Sequence, residues 1–109
     1  MKDVTKWSRD QYHSFILVYA AHADLQVNEQ EKIFICEKVG KSDYRFAEDI
    51  YEENSDYENV QMVVEGRKHF YPSENDKKRL ESEIKTLFAA DHEYGTLEEN
   101  LLMALHRVL

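Results

Sequence analysis

Apolar residues recur at helical spacing along most of the chain. Tyr12, Phe15, Ile16 and Tyr19 form one stripe, and Tyr44, Ala47 and Tyr51 a second. Leu80, Ile84, Leu87 and Phe88 form a third, and Leu97, Leu101, Ala104, Leu105 and Val108 a fourth. These i, i+3, i+4, i+7 patterns predict amphipathic helices. Ser8 with Gln11, Asn28 with Glu31, Ser55 with Glu58 and Thr96 with Glu99 each place a small polar residue three positions before Glu or Gln. That spacing satisfies the free amides at a helix start. Ser42 and Ser73 follow the same plan less fully, so six helix starts are expected. Gly40 is suited to a left-handed stop for the second helix, and Pro72 separates the fourth from the fifth. Gly66 falls late in the fourth helix, where the sequence supplies no reason for it.

The first helix differs in kind. Phe15 to Ala21 is apolar on every side, which in a water-soluble fold requires a helix surrounded by others. The expected architecture is all-α, a single bundle over 1–109 of six or seven helices with the first at its centre. Composition agrees: 109 residues with 42% hydrophobic content, 3 Gly and 1 Pro suit one helical domain with a real core.

Charge narrows the range of partners. The formal net charge is −8, which argues against nucleic acid, because binding a phosphate backbone depends on Lys and Arg displacing counterions. The Lys77, Lys78, Arg79 triplet lies among Glu74, Asp76, Glu81 and Glu83 and reads as a solvated helix face. Between Lys41 and Glu65, eight acids stand against two bases, a net of −6. Glu48, Asp49, Glu52, Glu53 and Asp56 therefore form a candidate docking face for a basic protein surface. An acidic face that serves only solubility is the alternative. The lone Cys36, in the apolar run "IFIC", is expected as a buried reduced thiol. The polar start of the sequence and the shortness of its longest apolar run predict a cytoplasmic protein with no membrane span.

Two acidic joints stand out. "ADLQVNEQE", Ala23 to Glu31, and "ADHEYGTLEE", Ala90 to Glu99, align at a constant offset that pairs Asp24 with Asp91 and Glu31 with Glu98. Each half reads as helix, Asp, a short link with an apolar plug, and Glu in the first turn of the next helix. A carboxylate at the end of the first helix faces the negative end of its dipole and needs loop amides, a basic side chain or a cation to compensate. In one reading Asp24 and Asp91 accept loop amides while Glu31 closes a capping box. Glu98 then lacks a role, since the box in that half uses Thr96 and Glu99. In the other reading Asp24, Glu31, Asp91 and Glu98 hold a divalent cation, with His22 or His92 nearby. Carboxylates suit Ca²⁺, Mg²⁺ or Mn²⁺, and an imidazole would favour Zn²⁺. An EF-hand fits neither joint: counting from Asp24 puts Glu29 at the turn glycine and Ile35 at the bidentate Glu, and counting from Asp91 puts Thr96 and Leu102 there.

These two stretches resemble the TerB-like domain, named for tellurite-resistance protein B, and are similar to the middle region of a membrane-anchored DnaJ-type co-chaperone. The family pattern is roughly Asp-Gly-x-apolar-x-x-x-Glu once in each half, and here Leu25 and His92 replace the glycine. The resemblance implies a bundle of commonly seven helices related by an approximate two-fold, a link to bacterial stress responses, and metal binding or partner scaffolding by the joint acids. No Gly-rich phosphate loop, nucleophile elbow or His-Glu-x-x-His pair occurs, so no enzymatic activity is expected. His13, His69 and His106 read as surface or boundary residues.

Overall fold

The computed structural model describes residues 3–22 and 29–89. They form a short 3-10 turn, η1 (Val4–Lys6), followed by five helices: α1 (Arg9–His22), α2 (Glu29–Val39), α3 (Lys41–Glu53), α4 (Asp56–Phe70) and α5 (Glu74–Ala89). Among the described residues there is no strand, and no described helix is long and apolar enough to cross a membrane. The expected sixth helix and the second acidic joint lie outside the described residues.

The caps locate three of the helix starts. Ser8 and Gln11 exchange hydrogen bonds, the Gln11 amide donating to Ser8 Oγ at 3.0 Å and the Ser8 amide to Gln11 Oε1 at 2.9 Å. Ser55 and Glu58 repeat the arrangement at 3.2 and 3.0 Å, and Ser73 Oγ accepts from the Asp76 amide at 3.1 Å. The start of α3 departs from expectation. Gly40, not Ser42, is its N-cap, at φ 88° and without a side-chain cap. The Gly40 amide donates to the Cys36 carbonyl at 2.8 Å, while its own carbonyl accepts from the Tyr44 amide at 3.1 Å. One residue thus closes α2 and opens α3, and the positive φ this requires favours glycine. Ser42 falls inside the first turn.

Helix α1 packs against all four other described helices. Tyr12, Phe15, Ile16, Leu17, Val18, Ala20 and Ala21 are fully buried, as an all-round apolar helix must be. Ser14 is also buried, and its hydroxyl donates to the Asp10 carbonyl one turn back at 2.9 Å, which removes the cost of burying it. The other helices contribute one face each: Ala47 and Ile50 from α3, Met62 and Val63 from α4, Leu80, Ile84 and Leu87 from α5. Cys36 is only half-buried, because it sits at the outer edge of α2 and lines a surface groove rather than the core.

The crossing of α1 and α4 accounts for Gly66. Tyr12 donates its hydroxyl to the Val63 carbonyl at 2.7 Å and stacks on Phe70 at 5.5 Å between ring centroids. Its ring thereby lies flat across α4 at residue 66. A Cβ there would overlap the Tyr12 Cδ2 and Cε2 atoms. Alanine at an ordinary helix position is worth about 1 kcal/mol over glycine, but Tyr12 is buried and held by both contacts, so the overlap dominates. Gly66→Ala should therefore destabilise the protein by about 1–3 kcal/mol, read as a lower urea midpoint. A midpoint raised by this substitution would contradict the packing.

Candidate functional site

The C-terminal end of α1, the start of α2 and the middle of α3 carry the described members of the candidate site. His22 is the last residue of α1. Its Nε2 lies 2.5 Å from Glu48 Oε1 on α3, and its ring stacks on Tyr51 with centroids 4.1 Å apart and planes 10° apart. Tyr44, one turn before Glu48, donates its hydroxyl to the second carboxylate oxygen, Oε2, at 3.1 Å. Both oxygens of Glu48 are therefore engaged. Burial raises the Tyr44 phenol well above its usual value, and the Glu48 charge and the hydrogen bond to it add to the rise. Burial, then the charge of Asp56, raises Tyr51 as well.

Glu31 occupies the first turn of α2 and is 1% exposed. Its counterpart in local sequence, Glu58 of the α4 capping box, is only partly buried. Two glutamates at equivalent positions of the same local sequence pattern thus differ in burial. A carboxylate withdrawn from water requires compensation by hydrogen bonds or positive charge, and Glu31 is not without an interaction of its own within the protein. Glu58 shows the ordinary capping case. The hydrogen bond from the Ser55 amide, then that from the Ser55 side chain, lowers its pKa.

The expected ligands separate into two groups. Glu31 and His22 are described, and Asp24, Asp91, His92 and Glu98 lie outside the described residues. Among the described residues no group of three or more His, Cys, Asp or Glu side chains is arranged to hold a metal. His22 faces Glu48, which engages its Nε2.

The acidic face is likewise divided. Glu48 turns inward to His22 and Tyr44, and its side chain is only 18% exposed. Asp49, Glu52, Glu53 and Asp56 are exposed. Asp49 shares a shallow depression with the basic residues Lys41 and Arg45, which interrupts the negative surface toward the start of α3. The acidic part of this face is thus the junction between α3 and α4, where Tyr57 is also 72% exposed.

No family model, curated protein or solved structure matches the chain.

Two outcomes follow from the His22, Tyr44 and Glu48 cluster. In a double-mutant cycle, His22→Ala and Glu48→Gln should couple by about 1 kcal/mol, the scale of a typical net hydrogen bond; additive urea midpoints would mean that the contact contributes nothing. The raised Tyr44 phenol favours the neutral form in the folded state. Its stabilising contribution is present below about pH 10, the ordinary phenol value, and is lost as pH rises through the folded-state value. Tyr44→Phe should therefore lessen the fall in melting temperature above about pH 10, and an unchanged alkaline slope would contradict this assignment.

Proposed function

We propose that the chain is a non-enzymatic TerB-like helical module, with six or seven helices arranged about a pseudo-two-fold, that holds a divalent cation at its acidic joints. Asp24 and Glu31 from one joint and Asp91 and Glu98 from the other supply the ligands. The observation that carries this reading is the burial of Glu31, at 1% exposure, in the first turn of the helix that follows the first joint. Glu31 already makes an interaction within the protein, and a cation at the joint would add to the compensation that a carboxylate withdrawn from water needs. Oxygen donors suit hard ions, and with His22 directed to Glu48 the set favours Ca²⁺, Mg²⁺ or Mn²⁺ over Zn²⁺. The cation would tie together the two halves of the bundle, making a stress-associated cytoplasmic scaffold whose rigidity follows ion supply.

A second reading is favoured by the exposure of Glu52, Glu53, Asp56 and Tyr57 at one junction. There the module is an adaptor that docks a basic protein surface, with the joint acids acting as caps. An exposed aromatic beside charge is the composition of many docking faces. Pull-downs with Glu52→Lys/Glu53→Lys discriminate: loss of the bound partner supports docking, and identical partner profiles count against it.

Thermal melts test the cation directly. A ligand bound only by the native state stabilises by mass action, about 2.7 kcal/mol at a hundredfold excess over its dissociation constant. Chelation should lower the melting temperature of the loaded protein by several degrees, and Asp24→Asn/Asp91→Asn should abolish the response. It should also stabilise the metal-free protein by relieving repulsion at the helix ends. A metal-free wild type indifferent to Ca²⁺, Mg²⁺, Mn²⁺ and Zn²⁺ would remove the cation from the proposal.

A further inference from the structure

Helix α2 presents an outward face that the core does not use. Ile33 is 55% exposed, whereas Ile35, two residues on, is fully buried. It borders a groove of about 480 Å³ between α2 and α3, to which Cys36 and Tyr44 contribute further apolar surface. The rim carries Glu29, Lys32 and Glu37 from α2 and Lys41 from the start of α3, two acids and two bases. The rim is therefore neutral in a chain of net charge −8. A second copy meeting this rim therefore brings no net like charge against it.

We infer that this groove is a self-association face, filled by α2 of a second copy in an antiparallel two-fold crossing. The order of charges selects the direction. Along the chain the rim reads acid, base, acid, base: Glu29, Lys32, Glu37, Lys41. An antiparallel two-fold through the middle of α2, between Phe34 and Ile35, sets Lys32 opposite the second copy's Glu37 and Glu29 near its Lys41. Ile33 then meets the second copy's Cys36 at the centre. The symmetry makes each contact twice. A parallel two-fold would instead oppose Lys32 to Lys32 and Glu37 to Glu37. The ion pair already present within α2, Lys32 to Glu29 at 3.9 Å, is exposed and weak, so it does not hold Lys32 against a new partner.

The size of the face sets the strength. A helix of 11 residues is about 16 Å long, and a crossing of that length buries less than the roughly 1,200 Å² at which stable complexes begin. The dimer is therefore weak and reversible, with dissociation in the micromolar to millimolar range.

Sedimentation equilibrium over that concentration range tests the assignment. The wild-type mass should rise from monomer toward dimer, and Ile33→Asp should weaken association about tenfold or more. Lys32→Glu should also weaken it several-fold, while Lys32→Glu/Glu37→Lys should restore it, because the reversed charges again meet their opposites across the two-fold. These side chains are exposed, and unchanged melting curves identify variants that keep the fold. A constant monomer mass, a dimer indifferent to Ile33→Asp, or a double reversal as weak as Lys32→Glu alone would each overturn the proposal.

Discussion

The described fold depends on the burial of the apolar run of α1. Its apolar residues face every direction, so no single neighbour could cover them, and α2 through α5 are arranged as walls around one central rod. The Tyr12 contact with α4 makes that arrangement specific. One phenol combines a hydrogen bond to the Val63 carbonyl, stacking on Phe70 and an approach to Gly66 that no side chain could share. Hydrophobic burial alone would allow α4 to slide or rotate along α1, whereas this contact fixes its height and rotation.

Building the bundle around α1 also brings its polar end into use. His22 arrives where the apolar run stops, against α3, and is positioned by stacking on Tyr51 and by Glu48. A carboxylate from an acidic segment is thereby drawn inward and held by an imidazole and a phenol. Asp49, Glu52, Glu53 and Asp56 of that segment stay exposed, and those at the α3–α4 junction lie beyond Lys41 and Arg45. Electrostatic roles are divided by position along α3: Glu48 joins helices, while the C-terminal end of the helix faces solvent.

Local chemistry made much of this legible in the sequence, and non-local chemistry made the remainder invisible. The boxes at Ser8 and Ser55 and the cap at Ser73 could be read because both partners lie within one turn. The centrality of α1 could be read because an apolar run without a polar face is stable in water only when other helices surround it. The reason for Gly66 could not be read, since it is a tyrosine 54 positions earlier in the chain. The inward turn of Glu48 was hidden for the same reason, its partner being 26 residues away. Ser42 misled as a cap because the chain needed a positive φ at Gly40, which serves both helices at once. Cys36 was expected inside because "IFIC" is apolar, yet four consecutive apolar residues on a helix span more than its buried face, leaving Cys36 and Ile33 toward solvent. Of the joint acids, the repeat is visible in the sequence, and the burial of Glu31 is the structural feature that bears on it.

The central role of α1 is tested most directly by native-state hydrogen exchange. Amides from Phe15 to Val18 lie in the middle of the buried helix and should exchange only through global unfolding, giving opening free energies equal to the stability from denaturant melts. Amides of α3 and α5, each with a solvated face, should open at lower cost through partial unfolding. Exchange from α1 that is faster than from α3 or α5, or that proceeds below the global unfolding free energy, would show that the bundle does not depend on its central helix.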